Sequence, residues 1–296
     1  MKLDCRALLP MTCLCLLLSS ISFSQTESFP INMGSVINTA ARDAEPTFTP
    51  DGQTMYFNCF DRQGKVGGDI CVTERIGDGW TDPEIVDAVS TDDYVEVEPL
   101  LSPDGSQLYI MSNRPGGHGS TDIWVSDWEN DHWSEPSNLD APINSPYSDH
   151  CLYFAGENSE FAYWTSTRPG GFGGNDIWMS EKVNGTWTDA VNLGANVNSA
   201  VSEHHSLPSE DGRSLYVTTT RDEGVGGEDI YVTTRDDNGS WSTLTNLGPE
   251  VNSDQYDRCP AFSPDFEYFF FDSERKGGYG NKDLWYLPYS RIEHIR

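Results

Sequence analysis

Residues 168–178 read RPGGFGGNDIW, a glycine-rich loop that ends in an acid. Such a loop can cradle phosphate, bind calcium or simply turn the chain. A phosphate cradle needs a helix N-terminus after it, and no helical periodicity follows here. A calcium-binding nonapeptide would recur every nine residues, whereas this loop recurs every 53 or 54. Its sister at 114–124 reads RPGGHGSTDIW; versions follow at 221–230 and 275–284, with a copy one residue shorter at 62–70. The closing acids Asp69, Asp122, Asp176, Asp229 and Asp283 keep the step along the chain. The loop is therefore read as a structural corner that marks a repeat. Its arginine is expected to pair with a nearby acid, and for Arg168 the candidate is Asp176.

The rest of the unit follows from the same step. Upstream stand TPDGQTMYF (49–57), SPDGSQLYI (102–110), SEDGRSLYV (209–217) and SPDFEYFFF (263–271), with GENSEFAYW (156–164) as a degenerate copy. Downstream, Trp80, Trp133, Trp187 and Trp241 each open a segment such as WSEPSNL. Each unit reads as four short strands joined by Pro-Asp-Gly and Asn-Gly turns, expected in the second unit at 98–102, 107–112, 122–127 and 132–139. Repeats near 40–92, 93–145, 146–199, 200–253 and 254–290 predict an all-β, five-bladed β-propeller. The fifth repeat lacks its fourth strand. PINMGSVINT (30–39) matches PSNLDAPINS (136–145) position for position, so a segment at 27–39 is expected to complete the last blade. Closure of this kind leaves no free sheet edge. The tryptophans are expected to pack between blades rather than to serve as a sugar platform.

Residues 1–24 carry Lys2 and Arg6, then a mostly apolar run, then small residues before Gln25. That pattern reads as a cleavable secretory signal, too short in its apolar part for a membrane span. The mature domain is then 25–292, exported to the periplasm or secreted, with no membrane insertion. The net charge of −29 becomes about −30 once two bases and one acid leave with the signal. Such acidity argues against nucleic acid and anionic membranes as partners, and permits cations or basic partners. Of the cysteines left, Cys59 and Cys71 flank one hairpin loop, and their pairing is left open.

The units resemble the TolB-type Pro-Asp β-propeller repeat, a relative of WD repeats. The order Pro-Asp-Gly, aromatic, Arg-x-Gly-Gly, Asp-Ile-Trp is nearly complete in the second unit, and the resemblance covers residues 27 to 290. It implies a binding or scaffold module of the bacterial envelope more than an enzyme. Fold alone does not fix activity.

Across the blade connections one column reads Asp43, Glu96, Asp149, Glu203 and Asp257. Two residues on, a second reads Glu45, Glu98, Cys151, His205 and Cys259. The first column, with His150, His204 and His205, forms the candidate ligand set at the channel mouth, on the face of the Arg-Gly-Gly loops. Two readings of those acids stand side by side: acceptors for backbone N–H groups of the connections, favoured by their recurrence in every blade, or ligands at a ring of charge that needs an offsetting cation. A divalent cation is a candidate cofactor, calcium if only oxygens bind it, zinc if histidine joins; Asp149, His150, Glu203 and His205 are the candidate ligands. An envelope protein or a glycan is the candidate partner. No nucleophile elbow, metalloprotease motif or Walker loop occurs. The alternative function is a glycoside hydrolase using paired mouth carboxylates, which require one acid and one base at a defined separation.

Overall fold

The computed structural model describes residues 29–62, 67–156 and 158–295. The expected signal segment 1–24 lies outside them. Five antiparallel sheets are arranged in a ring, giving a five-bladed β-propeller. Blade one runs outward from Asp43–Phe48 through Thr54–Phe60 to Gly68–Ile76. The innermost strands of the other blades are Glu96–Leu101, Asp149–Ala155, Glu203–Pro208 and Asp257–Phe262. Blade five is completed by Ile31–Asn32, where Ile31 faces Tyr286 and Asn32 faces Trp285. The N-terminal segment therefore closes the ring as expected. No helix among the described residues is long and apolar enough to cross a membrane.

Two expectations about strands need correction. The innermost strand of blade two begins at Glu96 rather than Glu98, so the acid column opens the strand instead of preceding it. The outermost strand, expected as one run at 132–139, is two short pieces, His132–Trp133 and Ser137–Asn138, paired with the same neighbour. Pro136 stands between them and has no N–H to give the ladder.

Burial explains why the repeats must form a ring. The apolar clusters are shared between neighbouring blades: Tyr56 and Ile70 of blade one pack with Leu108, Ile110 and Trp124 of blade two. Ile37 and Leu284 pack with Met55 and Phe57 where blade five meets blade one. A single blade has no core of its own, so stacking its faces is what removes apolar surface from water. The tryptophan column serves this packing: Trp133 of blade two donates to the Tyr56 hydroxyl of blade one, and Trp241 of blade four stands edge-on to Tyr163 of blade three. Cys59 and Cys71 form a disulfide in blade one, while Cys151 and Cys259 are buried free thiols.

Candidate functional site

The five acids of the first column have no solvent exposure. In every blade one carboxylate oxygen accepts the backbone N–H of a Ser or Thr in the preceding connection: Thr39, Thr91, Ser145, Ser199 and Ser253. The other side of the carboxylate takes the arginine of the glycine loop, as in Arg62 with Asp43, Arg114 with Glu96 and Arg275 with Asp257. Arg168 pairs with Asp149 at 2.7 Å, not with Asp176 as expected. Its guanidinium also donates to the Pro142 and Ile143 carbonyls and stacks over Trp164 and Trp178. The planar fork suits this use, since it can serve a carboxylate and carbonyls together. Asp176 instead closes its own loop by accepting the Phe172 and Gly173 N–H groups. Gly173 lies so close to the next connection that a Cβ there would sit 1.9 Å from the Val201 carbonyl oxygen. Loop, arginine and acid together bolt one blade to the next. Desolvation raises the Asp43 and Glu203 carboxyls above their ordinary value against the pull of their partners. Asp43, Glu96, Asp149, Glu203 and Asp257 thus face the connections, not an open mouth.

The second column behaves differently. Glu45, Glu98, Cys151, His205 and Cys259 all have left-handed backbone, with φ of 56°, 59°, 52°, 45° and 52°. Each stands where the register between the two inner strands of its blade slips, at a β-bulge. Residues other than glycine and asparagine rarely adopt this conformation, and bulges re-aim side chains. Here Glu45, Glu98, Cys151 and His205 form the floor of a central cavity of about 350 Å³. Its walls are apolar, including Leu100, Tyr153, Leu207 and Phe262, and it reaches Pro50, Pro103 and Pro264 of the tight turns. The cavity therefore lies toward the Pro-Asp-Gly face, opposite the Arg-Gly-Gly face on which the sequence placed the candidate ligand set.

Charge on the floor is tightly arranged. Burial works to raise the Glu98 carboxyl, but attraction to His150 and His205 and hydrogen bonds from His150 and the Cys151 N–H hold it down at about 2. Burial works against a proton on His150, yet Glu98 at 3.5 Å wins and raises it. Burial and the two neighbouring histidines depress His204 to about 3, so it is neutral. Asn175, from the opening loop of blade three, sits between the rings: its carbonyl is 3.4 Å from His150 Nε2 and its amide nitrogen 3.1 Å from His204 Nε2. A protonated His150 donating and a neutral His204 accepting fit that bridge.

Two clusters among the described residues bring metal-type donor atoms within 4.8 Å of one another: Glu45, His205 and Cys259, and Glu98, His150 and Cys151. The expected set of Asp149, His150, Glu203 and His205 is not brought together. His150 and His205 fall in different clusters, and Asp149 and Glu203 are held in the connections by Ser145 with Arg168 and Ser199 with Arg221. The signal available in the sequence was variety: the first column is acidic in every blade, whereas the second changes residue type from blade to blade. The position before each loop acid varies too, as Gly68, Thr121, Asn175, Glu228 and Lys282, and the last three make polar contacts at the channel.

The sequence matches no protein-family model and no curated protein. Solved structures with the same architecture include TolB from Acinetobacter baumannii, at TM-score 0.51 and 18% identity over 84% of this chain. The chain spans 54% of that protein's length. A putative TolB from Agrobacterium tumefaciens aligns with 88% of this chain and 83% of its own, at TM-score 0.50 and 16% identity. These likenesses show a shared fold. An α-L-arabinofuranosidase from Podospora anserina, solved with cellotriose, is as similar, with TM-score 0.52, 13% identity and coverage of 86% and 94%. Proteins named TolB and an arabinofuranosidase thus share this fold, and fold alone does not choose a function for this chain.

Proposed function

We propose that the protein is an exported, TolB-like binding module that takes a segment of another envelope protein into its central cavity from the Pro-Asp-Gly face. The observation that carries this reading is the cavity itself, with apolar walls around a floor bearing Glu45 and Glu98. A volume of about 350 Å³ is in the range of ligand sites, and such walls favour apolar side chains over the hydroxyls of a glycan. The two floor carboxylates favour a basic residue at the buried tip of the segment. The N-terminal basic-apolar-polar pattern supports export.

A hydrolase using two mouth carboxylates has less behind it. The first-column acids have no exposed surface, and Glu98, held at about 2, is not a proton donor near neutral pH.

Panning a displayed peptide library on the full chain tests the reading. Peptides pairing apolar residues with Lys or Arg are expected to be enriched. They should lose at least about tenfold in affinity to Leu207→Trp, which fills the cavity. Selection of the same peptides by both proteins would sink the cavity as the site. Turnover of aryl glycosides by the wild type, lost in Glu98→Gln, would replace the binding reading with the enzymatic one.

A further inference from the structure

At the channel floor and just behind it, Glu45, His205 and Cys259 bring three metal-type donor atoms together. Cys259, His205 and Glu45 come from blades five, four and one, which are consecutive around the ring. Cys259 Sγ lies 3.2 Å from Glu45 Oε1, and His205 Nε2 lies 3.6 Å from the same oxygen. A tetrahedral zinc ion with a thiolate, an imidazole and a carboxylate, at the usual bond lengths, sets donor separations of roughly 3.3–3.6 Å. The two separations to Glu45 each lie within about 0.3 Å of that range, and the third lies within 4.8 Å, so small side-chain adjustments bring the three donors to one ion.

His205 supplies the second observation. It is 5% exposed, and neither ring nitrogen has a hydrogen-bond partner among the described residues. A buried imidazole with no hydrogen bond at either nitrogen is costly unless a ligand uses one of them. Glu45 is held for the same purpose from behind. The Asn58 amide donates to Glu45 Oε2, leaving Oε1 to face the cluster, and Asn58 is itself fixed because its carbonyl accepts the Glu98 N–H. Outer-shell bonds of this kind orient metal ligands. All three donors sit on left-handed bulge residues, so they are set by the backbone rather than by long flexible side chains.

We propose that Glu45, His205 and Cys259 form a zinc site whose fourth coordination position opens into the central cavity. Sulfur and imidazole donors select a borderline-soft ion over calcium or magnesium. On binding, the Cys259 S–H bond breaks, its proton leaves to water, and the Sγ–Zn bond forms. One carboxylate and one thiolate then balance the charge of the ion. The neighbouring cluster is a weaker candidate because its imidazole has partners at both nitrogens. Glu98 accepts the Cys151 N–H at 2.5 Å and faces His150, whose other nitrogen faces Asn175. The zinc proposal stands on donor geometry and is tested without a peptide; because zinc and a basic residue would compete for Glu45, the peptide selection belongs on chelator-treated protein.

The test strips the full-length protein with chelator and titrates zinc by competition with a chromophoric indicator. One zinc per chain is expected, weakened roughly 100-fold or more by His205→Gln or Cys259→Ser and unchanged by His150→Gln. Cobalt in place of zinc should give a thiolate-to-metal charge-transfer band, and X-ray absorption of the zinc form should show one sulfur in the shell. These two readouts use the wild type and hold even where a variant fails to fold. No stoichiometric zinc, a shell without sulfur, or loss of zinc in His150→Gln with retention in His205→Gln would each overturn the assignment.

Discussion

Asp149 and Cys151 stand two residues apart on the innermost strand of blade three, as Asp43 and Glu45 do on blade one. The first position of the pair is an acid in all five blades, is fully buried, and is saturated by a Ser or Thr and an arginine. The second changes from blade to blade, sits on strained backbone, and forms the channel floor. Repetition marks what every blade needs in order to join its neighbour. Variation at an equally constrained position marks what the ring as a whole does once, at its axis.

The sharpest way to break this contrast is Asp149→Ala. It strands Arg168 and removes the acceptor of Ser145, so unfolding in urea should show a loss of about 3–5 kcal/mol. A loss below about 1 kcal/mol would mean that the first column is not the bolt described here. Next in size is Gly173→Ala, which places a methyl against the Val201 and Ser199 carbonyls and should cost about 2–3 kcal/mol. Neutral behaviour there would show that the blade joint yields freely.

The smallest effect concerns pH, where Asp43 and Glu203 of the first column and Glu98 of the second have opposite signs. Asp43 and Glu203 have raised carboxyls, so their protonation favours the fold below the ordinary carboxylate range, and this is lost as pH rises through their folded values. Glu98 is lowered to about 2, so its contribution is present above about 4.5 and disappears as pH falls from there toward 2. In chelator-treated protein, Glu98→Gln should therefore cost about 2 kcal/mol at pH 6, and most of that should be gone by pH 2. A difference between wild type and variant that does not narrow on acidification would contradict the Glu98–His150 pair.

The ring, its five blades and its N-terminal closing strand were legible because spacing survives translation into strands. PINMGSVINT and PSNLDAPINS match residue for residue because both must form the same outer strand. Partners across space were less legible. Arg168 was expected to meet the acid eight residues on, but Asp149 lies 19 residues before it, a separation set by how the loop folds back over the connection. The bulges were invisible because Glu and Cys, which hold four of the five positions, do not announce left-handed backbone as glycine or asparagine would. With the bulges unread, the second column could not be aimed at the axis, and the sequence pointed only to the acids on the Arg-Gly-Gly face and not to the cavity toward the other.

The closing strand also imposes an order of events. Asn32 bonds Asp283 across 251 residues, so the segment that finishes blade five is made first and docks last. Until the strand Asp283–Pro288 exists, Ile31–Asn32 has no strand to pair with and the first blade lacks the fifth-blade partner of its apolar face. A growing chain of this kind is exposed to pairing with strangers until its own end arrives, and it gains most from a chaperone in that interval.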